Sequence, residues 1–569
     1  QVWVQIDHPD PPELQVRLTG PDGTSILLHD RTGVAQRPIN AVYGRTDVPA
    51  QPLSAFQGHL ANGVWTLTVS DQVPGTTGRI RNFSVLVVPG QPVVPIPAGS
   101  DGSVLPVVGR VQGTKFFLSD VRLYNPTSAT RNFSLFYVPV GSSGASALRA
   151  TRSVGAGQVA ALNDVVFSEF GFDTSLGEMT VIANDPAFIA TSRAYTQSSN
   201  GTFGQFVPGF RSLGGLSFGQ GFAAANGFSK DSRFHTNVGF TEVSGAPVTV
   251  RIDVLDANGS LLASTTRDGA PNQTLLLTDI IGERGLGATS NFRVNFTVTS
   301  LTGRVIPFAI LIDDATGDGL FEPAGDPAPS ADDVIVTQAS FARGNNDTFF
   351  KTNLHVTNVG GSPVTLTVSL IPRLVTGTPG APRVYTLAPG QTIEKPDVLN
   401  TEFGLQDPSA AGLRIHPSGP ARLVVSTRTF VEKFGGTFGF FIPGLPASSA
   451  TVLSLGTGRV AAIQLDQSSA ATGSRSNFGV AEIGGADVLV RVTAKSGDTG
   501  AVLGVKSYLV PANTSFQQSV TDILGSGAFA TNVYLQFELD GGAGKILAYG
   551  VAVDNTSGDA IYVPAQREP

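Results

Sequence analysis

Five acidic residues recur in a pattern able to hold a cation. Asp313, Asp314 and Asp318 belong to an Asp-Asp-x-Thr-Gly-Asp string, and Asp554 and Asp559 frame its echo, Asp-Asn-x-Ser-Gly-Asp. Closely spaced carboxylates around a glycine suit calcium, a hard ion that takes oxygen ligands. The strings lack the bidentate Glu that closes an EF-hand loop, and Asp, Asn and Gly are equally what a hairpin turn needs, so a turn is the stronger reading. Calcium is nevertheless the one cofactor to which the residues point. A second series, Asp164, Asp279, Asp397 and Asp522, has two apolar residues after each Asp. A short carboxylate satisfies orphan backbone N–H groups, so these are expected to cap a helical turn or a strand end rather than to catalyse. The absence of cysteine removes disulfides, thiolate metal sites and Cys nucleophiles together. The six histidines, His8, His29, His59, His235, His355 and His416, never approach one another in sequence at metal-ligand spacing. They are expected at the surface or in packing.

The elements that must carry these residues are strands. Gly 67 and Pro 37, with 41% hydrophobic and only 14% charged residues, describe short apolar strands divided by tight turns. An all-β fold follows. At 569 residues the chain needs several domains. No run of about 18 apolar residues is present to span a bilayer. The net charge of -7 is spread out, with no Lys/Arg cluster among aromatics, so nucleic acid is not an expected partner.

From Val2 to Val87 apolar residues alternate with polar ones: Val2, Val4, Ile6; Leu14, Val16, Leu18; Trp65, Leu67, Val69; Phe83, Val85, Val87. The turns Gly20-Pro21-Asp22-Gly23 and Pro74 to Gly78 lie between them. Within this stretch Phe56, Gly58, Gly63, Trp65, Thr66, Leu67, Val69 and Asp71, with Gly78 in the next turn, form a Phe-x-Gly followed by Gly-x-Trp-Thr-Leu-x-Val-x-Asp. The pattern resembles the P domain, or homo B domain, of proprotein convertases. The resemblance implies a jelly-roll-like β-sandwich that packs, in that family, beside a subtilisin-like protease. Pro12-Glu13-Leu14 departs from the family's Gly-Asp-Leu, and the family's first strand, due before Val2, is missing. A segment absent from this piece of the chain would account for it, and the sharper alternative is an unpaired edge completed by a strand donated from another subunit. No subtilisin-type Ser motif occurs in the chain, so it is expected not to be an enzyme.

After a proline-rich spacer the same landmarks return four times, about every 115 to 125 residues. Each copy opens a strand with Asp120, Asn237, Asn353 or Asn477, turns near residues 125, 245, 361 or 485, carries one of the second Asp series, and closes at Pro208, Pro323, Pro443 or Pro564. Copies one and three share Gly-Thr-Phe-Gly (Gly201 to Gly204, Gly436 to Gly439); copies two and four share the Asp-rich strings. The order is A-B-A-B. The predicted organisation is a P-domain-like sandwich (1–88), a linker (89–100) and four immunoglobulin-like repeats: 101–211, 212–326, 327–446 and 447–569.

The leading expectation from these features is a secreted structural protein, a stiff row of sandwiches forming a stalk or filament with itself as partner. The resemblance of the first domain implies an alternative, the non-catalytic C-terminal region of a secreted subtilisin-like protease. An adhesin or glycan-binding protein is a third reading, disfavoured because only Trp3 and Trp65 could offer indole platforms. Sequons at Asn132, Asn200, Asn258, Asn295, Asn513 and Asn555 make glycosylation a further expectation.

Overall fold

The computed structural model describes residues 1–569 except 57, 58, 60, 62, 88–92, 114, 326, 375–379 and 569. Gly58 and the start of the linker therefore lie outside the described residues. The chain is all-β in antiparallel pairings, with four short α-helical turns among the described residues. It divides into two compact units, residues 1–92 with 165–174, and residues 93–164 with 175–569.

The first unit contains two three-stranded sheets built from β1 (Val2–Asp7), β2 (Leu14–Thr19), β3 (Ser25–Asp30), β4 (Ile39–Tyr43), β5 (Thr66–Asp71) and β6 (Arg79–Val85). Their orders are β4-β1-β6 and β3-β2-β5. Period-two alternation places Val2, Val4 and Ile6 opposite Leu14, Val16 and Leu18 in one shared core. The β5 and β6 ends are less covered: Trp65, Val69, Phe83 and Val85 are only half-buried.

In the second unit the alternation of repeats is visible in the backbone. Within 101–211 the strand Ser103–Gln112 pairs with Ser175–Ala183 and, at its end, with Phe116–Tyr124, so one strand joins both layers. Val334–Arg343 does the same within 327–446. The corresponding strands Ala223–Lys230 and Val460–Gln467 stay in one layer, leaving two separate sheets.

The four repeats close on one another. Each ends in a closing strand, Gly201–Pro208, Gly319–Pro323, Gly436–Pro443 or Ala560–Pro564. The aromatic residue two before each final proline leaves its own repeat. Phe206 packs against the core of 447–569, Tyr562 is part of the core of 327–446, Phe441 packs against the core of 212–326, and Phe321 joins Val107 and Val207 of 101–211. Followed in order, these contacts return to their start. The prolines, which lack a ladder donor, end the pairing, and all four border a single apolar cavity of about 80 Å³. Full burial of Phe321 and Tyr562 contributes roughly 1.5–3 kcal/mol each, and the half-buried Phe206 and Phe441 contribute less, so closure is held by these four anchors as well as by polar contacts. The expected stiff row is overturned for this reason: the faces that would have met the next sandwich in a row face inward.

Candidate functional site

The Asp-rich strings and the Gly-Thr-Phe-Gly strings are partners. Asp313 Oδ2 accepts from the amide of Thr437 at 2.7 Å and from its hydroxyl at 2.6 Å, while Thr316 Oγ1 donates to the Thr437 carbonyl at 2.7 Å. Asp318 accepts the amide of Gly439 at 2.9 Å. The second copy repeats the set. Asp554 accepts from the Thr202 hydroxyl at 2.8 Å and amide at 3.3 Å, Ser557 Oγ donates to the Thr202 carbonyl at 2.9 Å, and Asp559 accepts the Gly204 amide at 2.9 Å. Each B loop thus clamps the closing strand of an A repeat.

The electrostatics follow from this. Asp313 has no exposed side-chain surface. Burial pushes its carboxyl up, but the Thr437 donors and the Arg233 guanidinium at 2.8 Å outweigh burial and hold it below the usual carboxylate range. Burial, then the charge of Asp559, keeps Asp318 well above that range, and burial raises Asp559 as well. Asp314 faces His235, Nδ1 to Oδ1 at 2.7 Å. The oxygens of Asp313 and Asp554 accept several protein donors, Ala315 and Thr316 amides for one and Thr556 and Ser557 amides for the other, whereas Asp318 Oδ1 and Asp559 Oδ1 are buried without a hydrogen-bond partner.

Three members of the second Asp series share one geometry. Asp164, Asp279 and Asp397 have left-handed backbone, φ 47° in each, a conformation Asp tolerates better than most residues. Their amides donate to the side chains of Asp120 (2.9 Å), Asn237 (2.9 Å) and Asn353 (3.1 Å), so the first and third landmarks are two halves of one contact. Asp279 caps its turn, accepting from Gly282; the Asp397 side chain makes no cap bond. Asp522 differs. It lies inside the turn Thr521–Leu524 and binds Lys506 and Tyr508 at 2.8 and 2.7 Å. The motif Asp-apolar-apolar matched there while the backbone register did not.

In the first unit Phe56 and Trp65 meet edge to face at 5.0 Å between centroids. Gly63, at φ +143°, leaves room for Pro21, whose Cβ would lie 2.7 Å from an added Cβ. At Gly78 an added Cβ would meet the Asp7 carbonyl at 2.4 Å and the His8 ring at 2.6 Å. Asp71 lies against that same ring, Oδ2 to Nε2 at 3.2 Å. Sequence spacing missed this meeting of His8, Asp71 and Glu13 because the three lie at the ends of different strands. It also missed the turn residues Glu242 and Glu482. Glu242 accepts the amides of Ser244, Gly245 and Asn272, and Glu482 those of Gly484, Gly485 and Asn513. Of the sequon asparagines, Asn295 is buried and Asn555 donates to the Ser468 and Ala470 carbonyls.

Residues 1–87 match the model of the proprotein convertase P-domain family. Over 88 residues the chain is 34% identical to a calcium-dependent protease of Trichormus variabilis and, equally, to one of Nostoc sp.. The matched stretch is 15% of this chain and 13% of each relative. The chain therefore spans only a small part of the curated relatives it matches.

Proposed function

We propose that this chain is a non-catalytic C-terminal region of a secreted subtilisin-like protease, formed by a P domain and a closed ring of four sandwiches. The observation that carries the reading is the P-domain match over residues 1–87, with Trp65, Gly63, Gly78 and Asp71 each in a structural role within that unit. The ring supports an accessory role: its Asp-rich loops are occupied with holding the repeats together, and no helix among the described residues is long and apolar enough to cross a membrane.

The test is to recover the native polypeptide from culture medium with antibodies raised against residues 93–569, then to determine its mass and its hydrolysis of peptide substrates. Serine-inhibitor-sensitive activity on a polypeptide longer than 569 residues is the expected result. Native material of 569 residues, inert towards peptides and never joined to a longer precursor, would sink the proposal.

A further inference from the structure

Three side chains distant in sequence converge at one end of the first unit. His8 follows β1, Glu13 directly precedes β2 and Asp71 ends β5; one ligand-capable atom from each lies within 4.8 Å of the other two. The His8 side chain is 2% exposed and cannot swing out freely. Its Nε2 lies 3.2 Å from Asp71 Oδ2 and 3.4 Å from the Thr76 hydroxyl. Thr76 in turn donates to Glu13 Oε2 at 2.7 Å, and the second Asp71 oxygen accepts the Val73 amide at 3.1 Å.

We propose that His8 Nε2 and the carboxylates of Glu13 and Asp71 form a divalent metal site of transition-metal type, suited to zinc or manganese. One imidazole with two carboxylates is a ligand set for such ions, whereas calcium takes six to eight oxygens. Bonds of about 2.0–2.1 Å to nitrogen and oxygen give a tetrahedral edge of roughly 3.3 Å, close to the 3.2 Å between His8 Nε2 and Asp71 Oδ2. The other ring nitrogen supplies an independent indication. His8 Nδ1 lies 2.9 Å from the Asp10 carbonyl oxygen and 3.1 Å from the Asp10 amide nitrogen, so both neutral tautomers have a partner. Without metal, Nδ1 accepts from the amide and the Nε2 proton points to Asp71. On metal binding the ring proton moves from Nε2 to Nδ1, and Nδ1–H donates to the carbonyl, the outer contact that metal-bound imidazoles usually make. The open cleft beside His8, bordered by Pro9, Pro38 and Thr77, gives a route in.

The experiment is calorimetric titration of the chelator-stripped full chain with zinc, manganese and calcium chlorides. One equivalent of zinc is expected. Affinity should fall at least tenfold in Asp71→Asn and in Glu13→Gln, and stay unchanged in the control His59→Ala. Glu13 is half-buried and Asp71 exposed, so each variant tests the site independently should the other fold poorly. Absence of zinc binding, zinc affinity unaltered in Glu13→Gln, or a preference for calcium would each overturn the assignment.

Discussion

Replacing Asp313 with alanine should destabilise the second unit by about 3–5 kcal/mol, the usual cost of removing one partner from a buried charged pair. Its carboxylate is fully buried and accepts from Thr437 N, Thr437 Oγ1 and Arg233 Nε. Arg233 is 35% exposed, so it can recover hydration and its share is small. Thr437 is buried in the interface; its amide and hydroxyl lose their acceptor at roughly 1–3 kcal/mol each. Those two costs alone reach the expected range. Urea denaturation measures it with an internal reference, because both tryptophans, Trp3 and Trp65, belong to the first unit. Far-ultraviolet circular dichroism, dominated by the larger second unit, should show the earlier transition in Asp313→Ala, while the tryptophan fluorescence transition keeps its midpoint. A dichroism midpoint equal to that of the parent chain would refute the clamp, as would an equal shift of the fluorescence transition.

The twin clamps lead to a second prediction: Thr202→Val and Thr437→Val each remove one hydroxyl donating to a buried carboxylate, costing about 1.5–3 kcal/mol apiece. The two clamps adjoin, with Phe203 against Phe438 at 5.3 Å between centroids and the Asp559 charge felt at Asp318, so the double variant should depart from the sum in the same urea assay. Tyr562→Ala enlarges the cavity that Tyr562 borders in the core of 327–446 and should cost about 3–5 kcal/mol; Tyr562→Phe, losing only the 2.8 Å bond to Thr337, should cost about 1 kcal/mol. Burial pushes the Glu322 carboxyl up to about 8. A raised folded value means stability is fully present below the unfolded value, near 4.5, falls as pH rises towards 8 and levels off above it. Glu322→Gln should therefore flatten the decline of the unfolding midpoint between pH 5 and 9; a decline as steep as the parent's would exclude Glu322 as its source.

Features set by short-range pattern were readable before any fold was known. Alternation at Val2-Val4-Ile6 and Leu14-Val16-Leu18 fixes which side chains enter a sandwich core, since strand side chains have period two. The Phe56-to-Asp71 motif likewise survives translation into three dimensions, because Phe56, Gly63 and Trp65 answer to contacts within one unit. The A-B-A-B order was legible too, and its cause was already present in the letters: one pair of repeats carries carboxylates, the other the amides and hydroxyls they accept. Their complementarity was not legible, because Asp313 and Thr437 are 124 positions apart, and nothing local distinguishes an Asp-rich cation loop from an Asp-rich clamp. Asp522 shows the same limit at short range, where a matching tripeptide sits in a different backbone register. The closure of four repeats into a ring, the exchange of Phe206, Phe321, Phe441 and Tyr562 between neighbours, and the meeting of His8 with Glu13 and Asp71 were decided only by tertiary structure. Each depends on which distant surfaces bury one another, and that choice is made by packing between strands whose own patterns are nearly alike.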